Sequence, residues 1–244
     1  MKILILAEHS NNCGSLSIQG DLLYKGLIEN GIDCRICHYK YRKKEKEWYF
    51  SVFKPDVVIG TGWWVDTPSI INNPLEFGLQ TVPWLLADGW VANYHGILSN
   101  LPLVFTTSNW VKETYKRDGV DTKNYEVLHI GYDAKKFKPI SKEDPGIREI
   151  RKTLGIKEDE KMILTASGGD ATSKGAQEMI RALAKIEKEY SNWKYVCKAS
   201  NSKCARDHHQ EELALINELK LDPNKIVYIT DEFDHDFMPY LLNA

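Results

Sequence analysis

The stretch Ile163-Leu164-Thr165-Ala166-Ser167-Gly168-Gly169-Asp170-Ala171-Thr172-Ser173-Lys174-Gly175 decides how this chain is read. A buried-type apolar run gives way to a glycine turn, and a lysine then stands at the mouth of an amphipathic helical pattern that starts at Ala176. Strand, glycine turn and helix form the first half of a parallel α/β unit. At such a turn the unpaired N–H groups and dipole of the opening helix favour an anion, glycines let the backbone come close, and lysine adds a full charge. The spacing alone fits two readings: a phosphate site, or an ordinary strand-to-helix turn with a solvated lysine. The neighbouring sequence has to decide between them.

Two familiar phosphate loops are excluded by spacing. No Gly-x-x-x-x-Gly-Lys-Ser/Thr occurs, which removes a P-loop nucleotide hydrolase. The turn after the first apolar run reads Glu8-His9-Ser10-Asn11-Asn12-Cys13-Gly14-Ser15, with a single glycine where a dinucleotide fingerprint needs three. The expected ligand is therefore a different phosphorylated molecule.

Composition narrows the class. A chain of 244 residues, 43% hydrophobic and 27% charged, can bury one sizeable core or two modest ones. A formal net charge of -2 argues against general nucleic-acid binding, which needs a strongly basic face. Five cysteines without framework spacing fit a reducing compartment. The apolar opening from Ile3 to Ala7 is cut short by Glu8 and His9, well below signal-peptide length, and a cytoplasmic protein is expected.

Short β-branched runs alternate with longer helix-period segments along the whole chain, the pattern of parallel sheets covered by helices. Strands are predicted at Lys2–Ala7, Asp33–His38, Asp56–Gly60, Val82–Ala87, Leu103–Thr107 and Glu126–Ile130, enough for one Rossmann-like unit. Helices are predicted near 16–30, 45–53, 68–77, 92–100 and 110–118, with Gly31 as a stop and Ser108 and Asn109 as caps. Residues 133–146 are turn-rich and read as a connection. A second series follows, with strands at 162–167, 194–199 and 225–230 and helices near 148–154, 175–190, 209–219 and 236–244. The expected organisation is an N-terminal domain over 1–140 and a partial C-terminal one over 141–244. Three strands leave one side of the second sheet uncovered, so completion by a second chain or by further sequence is expected.

These segments resemble the nucleotide-sugar glycosyltransferases of the GT-B fold, specifically the large retaining class with glycogen synthases, sucrose-phosphate synthases and bacterial mannosyltransferases. The resemblance rests on Gly168-Gly169-Asp170-Ala171-Thr172-Ser173-Lys174-Gly175 against a Gly-Arg-x-x-x-x-Lys-Gly donor loop, and on the helix entry Thr107-Ser108-Asn109-Trp110-Val111. It rests further on the domain exit Val127-Leu128-His129-Ile130-Gly131-Tyr132-Asp133 through Phe137-Lys138-Pro139. It implies an α/β fold of two Rossmann-like domains, the second incomplete. It implies retaining, metal-independent transfer of a sugar from a nucleoside-diphosphate sugar, which is a substrate rather than a cofactor. The acceptor would be a saccharide, a lipid or a small molecule. Alternatives are a nucleotide-sugar binding subunit that needs a partner chain and a GT-B-type nucleotide-sugar epimerase. Gly169 departs from the family arginine, and the family's paired donor-site glutamates are expected beyond Ala244, which makes a weak or inactive catalyst the expectation for this chain alone.

Transfer leaves negative charge on the departing diphosphate, so donors that hold it are the main requirement. Gly168, Gly169 and Lys174 are the donor-phosphate candidates, with Lys198 after the next strand as a substitute for the missing arginine. The turn after the first strand offers Asn12, Gly14 and Ser15 as a cleft loop, or is a plain strand-to-helix turn. Trp63 and Trp64 after the third strand, and Asp88 and Trp90 after the fourth, lie where open α/β sheets place ligands and are acceptor-side candidates.

Other features are read as structural. Asp234-His235-Asp236 precedes a helix rather than ending a strand, and no metal is expected there. Cys34 and Cys37 fall three apart in a strand and point to opposite faces. His208 and His209 diverge on a helix start. The run from Lys40 to Lys46, followed by Trp48, Tyr49 and Phe50, has two readings: peripheral contact with an anionic membrane surface, or a solvated helix start over an ordinary buried face.

Overall fold

The computed structural model describes residues 1–8, 15–86, 89–168, 174–199, 209–230 and 235–244. The chain divides into two units, Met1–Asp133 and Ala134–Ala244.

The first unit is a six-stranded sheet of β1 (Lys2–Ala7), β2 (Asp33–His38), β3 (Val57–Trp63), β4 (Trp84–Leu86), β5 (Val104–Thr106) and β6 (Tyr125–Val127). The order is β2-β1-β3-β4-β5-β6 and every pairing is parallel. The chain therefore builds outward in one direction from β1 to β2 and in the other from β3 onward. The gap between β1 and β3 is a topological switch point, outside whose carboxyl ends open α/β sheets bind ligands. All six strands lie where the apolar runs put them, with shifted ends; β3 runs three residues beyond Gly60.

Alternation along the strands separates two apolar layers. Ile3, Ile5 and Ala7 of β1 join Cys34 and pack against Leu23, Tyr24 and Leu27 of α1 (Ser15–Glu29). Leu4 and Leu6 face the other layer with Cys37, Val58, Leu85 and Val104. Cys34 and Cys37 are thus buried on opposite faces, as the spacing requires. Close approach of α1 to β1 depends on Gly20, because a Cβ there would sit 2.6 Å from that of Ala7.

Helical segments on the second layer are less regular than predicted. α2 (Lys43–Trp48) continues as a π-helical turn, Tyr49–Phe53, stopped by Lys54 in the left-handed region at φ 51°. After β3 come a 3₁₀ turn (Trp64–Asp66), a π-helical turn (Pro68–Asn72) and the single turn α3 (Asn73–Glu76). That excursion presses on β3 through two glycines. A Cβ on Gly60 would lie 2.6 Å from the Ile70 Cβ, and one on Gly62 would lie 2.7 Å from Asp66 Oδ2. α4 (His95–Asn100) starts three residues later than predicted, behind Tyr94 at φ 65°. α5 (Asn109–Arg117) is capped by Ser108, whose Oγ accepts the Val111 N–H at 3.2 Å.

The second unit comprises α6 (Pro145–Thr153), β7 (Lys161–Gly168), α7 (Ala176–Ile186), β8 (Trp193–Ala199), α8 (His209–Glu218), β9 (Ile226–Ile229) and α9 (Met238–Asn243). Its sheet is parallel in the order β7-β8-β9. Ile180 and Leu183 of α7 and Leu215 and Ile216 of α8 cover the face presented by Trp193, Tyr195 and Cys197. Residues 134–140, read from sequence as part of the first domain, are tied to the second unit: the Ile140 N–H donates to Asn243 Oδ1 at 3.0 Å. The connection also ends earlier than predicted. Pro145 occupies the first helical position of α6, where its missing N–H costs nothing, and Asp144 caps the helix by accepting the Gly146 N–H at 2.8 Å. Among the described residues no helix is long and apolar enough to cross a membrane.

Candidate functional site

In the second unit the donor-phosphate candidates that are described share one edge. Gly168 ends β7 and pairs with Ala199 of β8, so Lys198 stands one register step from it. Lys174 is exposed and adjoins Gly175, which sits at φ 71° immediately before α7. Glycine suits that left-handed corner. The Met179 N–H closes the first turn onto Gly175 O at 2.9 Å, leaving the N–H groups of Ala176, Gln177 and Glu178 outside the intrahelical ladder. A strand end, two lysines and a helix N-terminus therefore occur on the carboxyl edge of one parallel sheet, a combination suited to a diphosphate. Gly169 lies outside the described residues.

Below this edge a polar row crosses the sheet. Thr165, Cys197 and Tyr228 are register partners on β7, β8 and β9, and the Tyr195 hydroxyl donates to Thr165 Oγ1 at 2.9 Å. Glu212 of α8 reaches this row and is 2% exposed. Burial pushes the Cys197 thiol up to about 11, so it is a protonated core group rather than a nucleophile.

The first unit gathers a different set at its switch point. Glu8 follows β1, Tyr39 and Lys40 follow β2, and Asp66 closes the turn after β3. Lys40 Nζ donates to Glu8 Oε1 at 2.6 Å, and the Tyr39 hydroxyl reaches the same oxygen at a long 3.4 Å. Asp66 lies close enough for its charge to act on Tyr39, and its Oδ2 accepts the Trp63 N–H at 3.1 Å. A phenol has one proton. The geometry directs that proton to Glu8 Oε1, the oxygen the ammonium also reaches. Burial holds the Asp66 carboxyl above its ordinary range, and among the described residues no cation pairs with it. Burial likewise pushes the Tyr39 hydroxyl up to about 12.

The tryptophans divide. Trp64 is 7% exposed and belongs to the core cluster, so it offers no open face to a ligand; the apolar layer over β3 and β4 takes it up. Trp63 is partly buried against the same cluster. Trp90 is 49% exposed and meets Trp64 edge-on, ring centroids 4.9 Å apart. Ser15 opens α1 and is exposed. Asn12, Gly14 and Asp88 lie outside the described residues.

Sequence reasoning missed Glu8, Tyr39, Asp66 and Trp110. The last is 60% exposed at the second position of α5, directly after β5. One signal was available for Asp66: the Gly60-Thr61-Gly62 pattern inside a strand marks close approach of another segment.

The basic run is mostly spoken for. Lys40 pairs with Glu8, Arg42 with Glu45 and Lys43 with Glu76. Lys46 is fully buried. These pairings support the solvated helix start over a free cationic face.

No protein-family model and no curated protein sequence matches the chain. Solved structures do, and they place it in the GT-B fold of two Rossmann-like units. Anabaena HepE in complex with UDP-glucose is similar with a TM-score of 0.70 at 14% identity, covering 99% of this chain and 71% of that one. An α,α-trehalose-phosphate synthase (UDP-forming) from Burkholderia xenovorans, in complex with glucose-6-phosphate, gives 0.61 at 11% identity, covering 98% and 76%. The UDP-GlcNAc 2-epimerase of Methanocaldococcus jannaschii gives 0.55 at 14%, covering 100% and 77%. At these identities the likeness is one of fold.

Proposed function

We propose that this chain is a nucleotide-sugar enzyme, a glycosyltransferase that holds the donor diphosphate on the second unit and the acceptor on the first. The observation that carries the reading is the second unit's carboxyl edge, where Gly168, Lys198 and the Lys174-Gly175 entrance to α7 occur together. The fold shared with structures solved with UDP-glucose supports it. Charge appearing on the leaving diphosphate would be met by the Lys174 ammonium and the first-turn amides of α7. Retention at the anomeric carbon and independence from a metal belong to the proposal through the family resemblance alone. So does the assignment of donor and acceptor sides to the two units, while a cytoplasmic setting is proposed from the cysteine usage.

A second chain, proposed from the uncovered sheet, has a place to act in this reading. A cavity of about 1150 Å³ beside β7 is lined by Met162, Leu164 and Ala166 of the strand and by charged side chains that include Arg148, Arg151 and Glu160. Calorimetric titration with UDP-, GDP- and ADP-sugars, followed by a transfer assay on the same preparation, tests the proposal. Binding with turnover is the expected result. Binding without turnover replaces the enzyme by a nucleotide-sugar binding subunit, and conversion of the nucleotide sugar without an acceptor replaces it by an epimerase. Absence of any nucleotide-sugar binding overturns the reading.

A further inference from the structure

The carboxyl edge of the first sheet carries two kinds of group side by side, and together they discriminate among acceptor classes. At β3 stands Asp66, a half-buried carboxylate that feels the Lys40 charge but makes no ion pair among the described residues. The Trp63 N–H takes one of its roughly four lone-pair sites and leaves others for a ligand hydroxyl. The position is built, because Gly62 leaves room that a Cβ would fill at 2.7 Å from Oδ2.

Farther along the same edge, at β4 and β5, stand Trp90 and Trp110, 49% and 60% exposed. They flank Gly89, where a Cβ would lie 4.0 Å from the Trp110 ring. The short segment carrying Trp90 is held from both sides. Arg117 Nη2 donates to Gly89 O at 2.6 Å, and Asp118 accepts the Val91 N–H at 2.7 Å. An anchored indole loses little freedom when it takes up a ligand. Trp64 meets it edge-on, and among the described residues the buried Trp64 indole N–H has no partner.

We propose that the acceptor is an oligosaccharide of two or more rings, with a hydroxyl of one ring on Asp66 and the apolar face of another against Trp90 and Trp110. The inference rests on the glycosyl-transfer reading above and names its acceptor. Sugars present hydroxyl edges and apolar faces alternately, and this edge offers a hydroxyl acceptor and indole faces in that sequence. A lipid tail would leave the carboxylate unpaired; a small alcohol would leave the indoles unused. Strand spacing is the basis for the ring count. β3 and β5 are two strand intervals apart, about 10 Å, more than a single pyranose ring spans.

The test uses the whole chain and glucose, galactose and mannose oligomers of one to three rings, with binding followed by calorimetry. Nucleotide-sugar binding is measured on the same samples. Affinity is expected to rise from one ring to two. Trp110→Ala and Trp90→Ala should each weaken the two-ring and three-ring ligands on the order of tenfold. Trp48→Ala, which removes a comparably exposed indole from α2, should leave binding unchanged. Affinities independent of ring number, or variants that bind as the parent does, overturn the inference. Nucleotide-sugar binding without binding of any oligomer also overturns it and leaves the transfer reading standing. Oligomer binding with the expected variant losses, but without nucleotide-sugar binding, keeps the saccharide site and sinks the transfer reading.

Discussion

Lys46 Nζ lies 2.9 Å from the carbonyl oxygen of Tyr39, in a site with no exposure to solvent. Ser69 O at 3.4 Å is a second acceptor. The Asn73 carboxamide, oriented so that its Oδ1 faces the ammonium at 2.7 Å and its N–H₂ donates to Pro68 O, supplies a third. The ammonium thus has three acceptors and joins the segments that follow β2 and β3, the same segments that carry Tyr39 and Asp66.

Replacing Lys46 by Met is expected to destabilise the fold by about 2 kcal/mol, because three buried acceptors lose their donor while the cost of burying a charge is removed. The pH dependence has a definite sign. Burial lowers the Lys46 pKa below the ordinary 10.5, so the folded state binds fewer protons than the unfolded one between the two values. The burial cost is present at lower pH and is relieved as pH rises through that window. Urea titrations of parent and Lys46→Met from pH 7 to 10 should show the gap widening with pH; a constant gap would sink the account.

Asp66 has the opposite behaviour. Burial raises its carboxyl pKa, so the contribution it makes is present at low pH and is lost as pH rises through the folded-state value. Asp66→Asn, which keeps an acceptor for the Trp63 N–H and removes the half-buried charge, should raise stability by about 0.5–1 kcal/mol at pH 7 and leave it unchanged near pH 3. If Asp66 serves the acceptor, the same variant loses transfer. Lower stability at pH 7 would mean that the carboxylate has a role in holding the turn that the structure does not account for.

How much of this was readable beforehand differs by element. The nine strands among the described residues were legible because apolar, β-branched runs between turn residues serve strand and core at once. The start of α6 was missed although Asp144-Pro145 is a cap followed by a first-position proline, because the prolines and lysines around it read as a linker. Lys46 was illegible for a different reason. Within Lys43-Lys44-Glu45-Lys46-Glu47 it looks solvated, and its burial is tolerable only through acceptors 7, 23 and 27 residues away in sequence. Asp66 and Trp110 gain meaning from the strand order, which places β3 at a switch point and β5 two strands from it. Local spacing does not contain that order.

For the donor edge, Lys174→Ala should weaken nucleotide-sugar binding tenfold to a hundredfold, as loss of a charge-assisted contact of about 1.5–3 kcal/mol implies. Gly175→Ala forces a Cβ into the left-handed region at φ 71° and should weaken binding as well, through misplacement of the lysine and the first turn of α7. Lys198→Ala separates a direct phosphate contact from a bystander. Calorimetric dissociation constants for the three variants, with circular dichroism to show the fold intact, check the assignment. An unchanged constant for Lys174→Ala removes this lysine from the site.

Two glycines of α1 should respond in opposite directions to the same substitution. A Cβ on Gly26 meets nothing within 4 Å, so Gly26→Ala relieves the helix of a flexible residue and should stabilise by about 1 kcal/mol. A Cβ on Gly20 would lie 2.6 Å from the Ala7 Cβ and 3.7 Å from Glu8 O, so Gly20→Ala must push α1 away from the end of β1. That overpacking should cost about 1–3 kcal/mol despite the better helix propensity. The displacement acts on the residue that starts the switch-point cluster, since Glu8 is held by Lys40 from the turn after β2. Acceptor binding should therefore fall in Gly20→Ala and stay unchanged in Gly26→Ala. Denaturant midpoints together with saccharide affinities for the pair measure both effects, and equal responses at the two positions would show that α1 does not press on β1 as the structure describes.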